Sequence, residues 1–252
     1  MTPTLTAAEP TLLPTLEELA QSIDHAILAP TTTAAEFQKT VALAAELELF
    51  SVCVPSSRVG DAFGQIAELD STLKVGTVIS FPHGNSSVRA LRDELSFALM
   101  DGAAEIDAVI DIGLVLGGDA AVAVDIMGSL ARQAKAEGVE KFKVIFENAY
   151  LTSAQIIDLS ERFAEVEAVD FIKTSTGYAP HGAMIEDVEL MVEHGGSKEV
   201  KASGGIRTLD QYLEFRQAGV TRFGTSNSAV LLRDLASRIE TGQATGELGG
   251  AY

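Results

Sequence analysis

The sequence is short of cysteine and of basic residues, and it has no long apolar run. Cys53 is the only cysteine among 252 residues, so no internal disulfide can form, which suits a reducing compartment. Lys and Arg number 18 against 36 Asp and Glu, and the formal net charge of −18 argues against binding to nucleic-acid phosphates. No apolar stretch approaches the length of a membrane span, and the first residues lack the pattern of a signal peptide. We therefore expect a soluble cytoplasmic protein with no nucleic-acid or membrane partner.

Motifs for metals and common cofactors are also absent. The four histidines, His25, His83, His181 and His194, show no ligand spacing, and with a single cysteine they form no zinc or iron pattern. There is neither a GxGxxG sequence nor a Walker sequence. The sequence thus predicts no metal site and no cofactor.

Apolar, β-branched runs alternate with helical stretches along almost the whole chain. The runs cover residues 23–28, 50–55, 74–81, 104–112, 141–146, 169–175, 199–204 and 221–226. Eight strands alternating with helices is the count of a (β/α)8 TIM barrel, a single α/β domain. We predict such a barrel over residues 16–244, with a short helical extension at its N-terminus; an open doubly wound sheet is the alternative. Residues 1–15 and 245–252 are predicted to be a flexible arm and a flexible tail.

Charged side chains fall where the interior of such a barrel normally has valine, isoleucine or leucine. Alternate residues of a strand share one face. On four neighbouring strands this rule groups Glu105, Asp107, Val109 and Asp111, then Lys143, Ile145 and Glu147, then Phe171, Lys173 and Ser175, and finally Glu199, Lys201 and Ser203. One interpretation is a set of buried ion pairs, such as Glu105 with Lys143. Because charges are rarely buried without pairing or function, we favour a functional cavity.

Lys173 and Lys201 end adjacent predicted strands, where barrel enzymes place their chemistry. An ordinary lysine has a pKa of about 10.4, whereas an amine nucleophile at neutral pH needs a pKa of about 7 to 8. A second ammonium about 4 Å away supplies the required energy of about 4 kcal/mol if the effective dielectric constant is about 20. The pair therefore predicts one neutral, nucleophilic amine, without indicating which lysine carries it. Asp107, on the same face, can relay protons through a water molecule.

Two loops that contain glycine and serine follow the last two predicted strands. Their residues are Ser203, Gly204 and Gly205 in the first loop, and Gly224, Ser226 and Asn227 in the second. Glycine lets backbone N–H groups approach a ligand, and a helix N-terminus favours negative charge. Because phosphate sites in these barrels often lie after strands 7 and 8, we predict a phosphate cradle here. Further candidates for the wall of the pocket are Cys53, Lys143 and Asp111.

The sequence resembles the deoxyribose-phosphate aldolase family, whose members are class I, Schiff-base-forming aldolases. The matching stretches, in family order, are IDHAILAP, SVCVPSS, AAEIDAVIDIG, KVIFENAYLT, DFIKTSTGYAPHGA, VKASGGIRT and RFGTSNS. The resemblance implies that Lys173 forms the Schiff base and that Lys201 and Asp107 tune it and relay protons. It implies phosphate contacts from Gly204, Gly205, Ser226 and the backbone near Asn227. Gly177, Ser203 and Gly224 are further candidates for contact with the substrate or its phosphate. Family members are commonly dimers or tetramers, so a homo-oligomer is expected.

The implied reaction is the reversible cleavage of 2-deoxy-D-ribose 5-phosphate to D-glyceraldehyde 3-phosphate and acetaldehyde, a step of deoxyribonucleotide catabolism. Five positions depart from the usual family residues. Ala26 replaces a threonine, Ala29 a lysine, Asp111 an asparagine, Asn148 a threonine, and Asn227 a serine or small residue. None of these is a catalytic residue, so they bear on substrate preference. The alternatives are a Schiff-base aldolase for a different phosphorylated sugar and a non-catalytic sugar-phosphate-binding barrel.

Overall fold

The (β/α)8 barrel predicted from the sequence is confirmed. A computed structural model describes residues 12–242, in which eight parallel strands form a closed barrel in chain order. The strands are β1 Ile23–Ala26, β2 Ser51–Pro55, β3 Lys74–Ile79, β4 Glu105–Val109, β5 Lys141–Ile145, β6 Phe171–Lys173, β7 Glu199–Ser203 and β8 Arg222–Thr225. Because β8 pairs with β1, the sheet has no free edge, and the open doubly wound alternative is wrong.

Helices connect the strands and cover the outside of the barrel. They are α1 Leu16–Gln21, α2 Ala34–Glu46, α3 Val59–Glu68, α4 Val88–Met100, α5 Ile112–Leu116, α6 Ala120–Ala136, α7 Ser153–Ala164, α8 Ile185–His194, α9 Leu209–Gln217 and α10 Ser228–Glu240. Helix α1 is the predicted N-terminal extension, and short 3₁₀ turns occur at Ser56–Arg58 and Asn148–Tyr150. None of the described helices combines the length and the apolar character that crossing a membrane requires.

Threonine side chains determine where several of these helices begin. Thr33, Thr152 and Thr208 each accept a hydrogen bond from the backbone N–H three residues ahead. The Glu or Gln at that later position accepts a hydrogen bond from the threonine N–H in return, which satisfies two backbone donors at each helix start. These three helices therefore begin at positions that the local sequence specifies.

The strands separate an apolar outer layer from a charged interior. On β4, Ile106 and Ala108 are fully buried in the apolar layer between barrel and helices, and on β5 Phe142 and Val144 lie in the same layer. Side chains alternate between the two faces of a strand, so the residues between these four face the barrel axis. Burial of the apolar layer stabilises the fold by about 25 cal/mol per Å². The interior can therefore hold charged groups without loss of the main core.

The predicted flexible segments lie largely outside the described residues, namely residues 1–11 of the arm and all of the tail from 245 to 252. Within the arm, Leu13 is 3% exposed. Thr15 caps α1 through a reciprocal pair of hydrogen bonds with Glu18. Residues 12–15 are therefore attached to the barrel domain.

Two loops at the carboxyl end of the barrel are in backbone contact. The Ala183 N–H, in the loop after β6, donates to the carbonyl groups of Ser203 and Gly204, each at 3.1 Å. At Gly182 a Cβ atom would overlap the carbonyl group of Gly204. Glycine at position 182 therefore lets the loops after β6 and β7 pack against each other at the mouth of the barrel.

We predict that Gly182→Ala lowers the free energy of unfolding by about 1–3 kcal/mol, because the added methyl group overlaps the Gly204 carbonyl. Gly64→Ala is the matched control, since a Cβ atom at this exposed position of α3 meets nothing within 4 Å. The control should gain up to about 1 kcal/mol from helix propensity. Urea unfolding followed by circular dichroism measures both. A Gly182→Ala protein as stable as the parent would contradict the inferred close packing of the loops.

Candidate active site

Seven charged side chains point into the barrel and are nearly inaccessible to water, with exposed fractions of 7% or less. They are Asp24 of β1, Glu105 and Asp107 of β4, Lys143 of β5, Lys173 of β6, Lys201 of β7 and Arg222 of β8. The strand register brings them together, because Asp107 lies beside Lys143 and Lys201 lies beside Lys173. The predicted convergence of acids and lysines is therefore present, and the ion pair of Glu105 with Lys143 forms one part of it.

Asp107 lies at the centre of this cluster. Its Oδ2 atom accepts hydrogen bonds from Lys173 Nζ and from Lys201 Nζ, each at 2.7 Å. Its Oδ1 atom accepts a hydrogen bond from Lys143 Nζ at 2.9 Å. Lys201 Nζ donates a second hydrogen bond, to Asp24 Oδ2. Two lysine amines thus share one carboxylate oxygen, which holds them close to each other.

A second group of ion pairs lies next to this centre. Lys143 Nζ is 2.5 Å from Glu105 Oε2, and Arg222 Nη1 donates to Asp24 at 2.8 Å and to Glu105 at 3.1 Å. The Arg222 guanidinium also stacks 3.7 Å from the centre of the Phe50 ring. Asp24 and Arg222 were not predicted to belong to the cluster. The sequence does carry a signal for both residues, because each is an isolated charge in a short apolar strand. Asp24 lies two residues before Ala26, and Arg222 lies two residues before Gly224.

Burial and ion pairing move the pKa values of the two central lysines in opposite directions. Burial lowers the pKa of Lys173 below its ordinary value, and the charge of Lys201 lowers it further, although Asp107 opposes both effects. Burial also disfavours the charged form of Lys201, but Asp107 and Asp24 outweigh it and raise the Lys201 pKa. Lys173 is therefore the amine that gives up its proton more readily.

A count of formal charges favours one neutral amine in the cluster. The cluster contains three carboxylates, those of Asp24, Glu105 and Asp107, against four cations, those of Lys143, Lys173, Lys201 and Arg222. One cation is in excess, and loss of one lysine proton makes the buried cluster neutral. Because an uncompensated buried charge is costly, this balance favours one neutral amine, and Lys173 is the lysine of the cluster whose pKa is lowered.

A cavity of about 290 Å³ opens above the two lysines at the carboxyl end of the barrel. Lys173, Lys201 and Asp24 line its charged end. All seven residues predicted for substrate or phosphate contact line it as well, namely Gly177, Ser203, Gly204, Gly205, Gly224, Ser226 and Asn227. The structure therefore brings the two lysines and the predicted cradle into one cavity.

The residues of the predicted cradle include two glycines with positive φ angles and the start of helix α10. Gly204 and Gly205 have φ angles of +84° and +79°, which glycine adopts without strain. Asn227 caps α10 without a side-chain hydrogen bond, so the first N–H groups of this helix are not occupied by its cap. The buried Ser203 Oγ has no hydrogen-bond partner among the described residues. Arg207, which was not predicted from the sequence, adds a cation to the same wall.

The three further candidates for the pocket wall have different positions. Cys53 lines the cavity, and burial raises the pKa of its thiol to about 11. Lys143 lies in the ion-pair cluster and does not line the cavity. Asp111 is also outside the cavity, because β4 ends at Val109 and the Asp111 carboxylate caps α5 by accepting the Leu114 N–H at 3.1 Å. The strand alternation that predicted an inward Asp111 no longer applies there.

Two other predicted positions do not face the cavity. Glu199 is the first residue of β7, and it is half-buried at the opposite end of the barrel beside Lys141, at 3.5 Å. Asn148 is buried, with its Nδ2 atom 3.3 Å from the sulfur of Met191. Three of the departures from the family pattern line the cavity, namely Ala26, Ala29 and Asn227. Asn148 and Asp111 do not line it.

Comparison with known proteins identifies the family. A model of the DeoC/LacD family aldolases matches residues 19–234, a span that contains all eight strands and the whole charged cluster. The chain belongs to this aldolase family. The resemblance deduced from the sequence motifs is therefore confirmed.

Individual members of the aldolase family resemble the chain over nearly its full described length. The deoxyribose-phosphate aldolase of Mycobacterium tuberculosis is 43% identical over 231 residues, which cover 88% of this chain and 98% of that protein. The solved structure of QR15, an aldolase, has a TM-score of 0.81 at 32% identity and covers 89% of this chain and 98% of its own. A tetrameric deoxyribose phosphate aldolase from Aeropyrum pernix has a TM-score of 0.81 at 25% identity, with coverages of 88% and 92%.

We predict that Lys143→Met lowers the free energy of unfolding by about 3–5 kcal/mol, because the buried carboxylates of Glu105 and Asp107 each lose a directly bonded cation. Lys74→Met is the matched control. It breaks an ion pair with Glu140 whose side chains are 35% and 50% exposed, so it should cost at most about 1 kcal/mol. Urea unfolding of both proteins gives the comparison. If both substitutions lowered the free energy of unfolding by the same small amount, the contacts of Lys143 with Glu105 and Asp107 would not stabilise the fold.

Proposed function

We propose that the protein catalyses the reversible aldol cleavage of 2-deoxy-D-ribose 5-phosphate to D-glyceraldehyde 3-phosphate and acetaldehyde. Membership of the aldolase family and the names of the similar proteins support the reaction class and the substrate. The observation that carries the proposal is the pair Lys173 and Lys201 on one oxygen of Asp107, at the floor of the cavity. Within this pair, only Lys173 has a lowered pKa.

In the proposed mechanism Lys173 is the nucleophile. Its neutral Nζ atom attacks C1 of the open-chain aldehyde, and loss of water gives a protonated imine. A base removes the proton of the C3 hydroxyl, the C2–C3 bond breaks, and its electron pair moves towards the iminium nitrogen. This step releases D-glyceraldehyde 3-phosphate and leaves an enamine. Protonation of C2 and hydrolysis of the imine then release acetaldehyde and regenerate the amine.

Lys201 and Asp107 would support this chemistry without forming a covalent bond to the substrate. Lys201 is held in the charged form by Asp107 and Asp24, so it keeps a positive charge beside Lys173 throughout the cycle. That charge favours the neutral form of Lys173 before imine formation. Asp107 contacts both amines and is placed to move protons between the substrate and the pair, directly or through a water molecule.

The phosphate of the substrate would lie at the other end of the cavity. The glycine backbone at positions 204 and 205, Ser226, and the N-terminus of α10 are suited to an anion. Arg207 supplies a positive charge on the same wall. Binding of the phosphate there would leave the aldehyde end of the sugar directed towards the lysines, so a single orientation would be productive.

We also infer that the protein is a cytoplasmic homo-oligomer that does not bind nucleic acid. The tetrameric relative from Aeropyrum pernix supports the assembly, the single buried cysteine suits a reducing compartment, and the net charge of −18 opposes binding to nucleic-acid phosphates.

We predict that sodium borohydride added together with acetaldehyde attaches an ethyl group to Lys173, which peptide mapping by mass spectrometry would locate. Lys173→Arg should abolish this trapping, because arginine keeps the charge but is never a free amine at neutral pH. Lys201→Arg should retain some trapping, because a positive charge remains beside Lys173. Labelling of Lys201, or trapping that survives in Lys173→Arg, would overturn the assignment of the two lysines.

Removal of the Lys201 charge should also move the pH dependence of the reaction. Lys201 lowers the pKa of Lys173, so Lys201→Leu should raise that pKa. A larger fraction of Lys173 is then protonated at neutral pH, and the acid limb of the kcat/KM profile moves to higher pH. The profile of Lys201→Arg, which keeps a cation, serves as the control. An unshifted Lys201→Leu profile would contradict the electrostatic role of Lys201.

We predict that Ser226→Asp raises KM for the phosphorylated sugar by at least about tenfold, because it places a negative charge beside the proposed phosphate site. KM for unphosphorylated 2-deoxyribose should change by less than about threefold. Ser153→Asp is the matched control, since this exposed serine begins α7 and does not line the cavity. If Ser226→Asp raised KM equally for the two sugars, the phosphate could not bind at this end of the cavity.

A further inference from the structure

A buried carboxylate outside the lysine cluster anchors the loop after β6. Glu147 is 2% exposed, and its backbone has a φ angle of +59°, which is unusual for a residue other than glycine. Its carboxylate accepts the backbone N–H of Thr176 at 3.1 Å and also the Thr176 hydroxyl. The chemistry proposed for Lys173 does not require Glu147, so these contacts need another explanation.

The contacts of Glu147 continue through Thr176 to Tyr178. The Tyr178 N–H donates to the Thr176 hydroxyl oxygen at 3.1 Å. The Tyr178 hydroxyl donates to the backbone carbonyl of Leu28, in the loop after β1, at 2.8 Å. The Tyr178 ring also meets the Phe81 ring edge to face, with 5.5 Å between their centres. Tyr178 is therefore fixed at its backbone, its ring and its hydroxyl, although it is 48% exposed.

Tyr178 lies between the catalytic cavity and a second, larger cavity. The second cavity measures about 640 Å³, and its wall combines apolar side chains, among them Phe37, Val78 and Phe81, with polar ones that include Arg58 and Glu94. Leu28, Ala29 and Tyr178 line both cavities, so they form the partition between them. Of the three, only Tyr178 spans from one loop to the other, through its hydrogen bond to Leu28.

We propose that Tyr178, positioned by Glu147 and Thr176, determines the size of the aldehyde that the Lys173 amine accepts. With Tyr178 in place, the sugar phosphate extends from the amine towards the glycine cradle, and the apolar chain of an aldehyde such as hexanal cannot enter the second cavity. Loss of the Tyr178 side chain would let such an apolar chain reach the second cavity. This inference rests on the proposed function, because it takes Lys173 as the amine that forms the imine. Glu147 and Thr176 are positioning residues, and Tyr178 is a specificity-determining residue.

The test compares the trapping of two aldehydes on the same lysine. Acetaldehyde or hexanal is added with borohydride, and mass spectrometry measures the fraction of the Lys173 peptide that carries an ethyl or a hexyl group. The readout is the ratio of hexanal trapping to acetaldehyde trapping. A purely structural defect lowers both fractions together and leaves this ratio unchanged.

Tyr178→Ala should raise the ratio by at least about tenfold, since each buried methylene of the longer chain increases affinity by about fourfold. Tyr150→Ala is the matched control, because Tyr150 is 49% exposed and lines neither cavity. Thr176→Val removes the hydroxyl that links Glu147 to Tyr178 and should raise the ratio by about twofold or more. Thr176→Ser keeps that hydroxyl and should restore the parent ratio.

A ratio that is unchanged in both Tyr178→Ala and Thr176→Val would overturn the inference. Circular dichroism and the Tm of each variant establish that it is folded, and Tyr178→Phe, which keeps the ring but loses the bond to Leu28, replaces Tyr178→Ala if that protein does not fold. Failure of the proposed function gives a different result: the parent would trap neither aldehyde on Lys173, and the inference would fall with it.

Discussion

The Asp107 carboxylate, which accepts hydrogen bonds from three buried lysines, is the interaction on which the rest of the site depends. Without it, three ammonium groups would lie together away from water, an arrangement that is very costly. One carboxylate cannot fully compensate three cations, so the lysine with the fewest other partners holds its proton least tightly. The positive charge of Lys201 is paired with two carboxylates, those of Asp107 and Asp24. Among the described residues, Lys173 forms an ion pair with Asp107 alone. One additional carboxylate thus distinguishes the two lysines.

The deeper ion pairs determine the electrostatic environment of these two lysines. Glu105 and Arg222 add one charge of each sign, and Arg222 also pairs with the Asp24 carboxylate that compensates Lys201. A buried network of this kind is weak evidence for stability, because apolar residues of similar volume often serve a fold equally well. Here the apolar layer outside the strands supplies the stability. The charged residues of the interior can therefore adjust the pKa values of Lys173 and Lys201 without having to stabilise the fold.

The parts of the structure that follow strand periodicity could be predicted from the sequence, and those that depend on loops could not. Eight β-branched runs between helices predicted the barrel, and alternation predicted the inward positions of Asp107, Lys173 and Lys201. The same rule failed at Asp111, where the strand has already ended, and at Glu199, which lies at the opposite end of the barrel. Arg207 and Tyr178 lie on loops, whose paths depend on contacts between distant segments such as Gly182 with Gly204. No periodic signal marks such positions.

The two ends of the cavity and its side walls are built in different ways. The lysine end is fixed by strand register and buried ion pairs, and the cradle end by glycines whose φ angles few other residues adopt. The side walls combine residues of strands, such as Ala26 and Cys53, with residues of loops, such as Tyr178, and none of these three forms a hydrogen bond to Asp107. Ala26 and Asn227, where this chain departs from the usual family residues, both belong to the cavity wall outside the charged cluster. A substitution in the walls can therefore change which aldehyde fits while the proton affinities of Lys173 and Lys201 stay the same, so substrate choice and imine chemistry can vary independently in this fold.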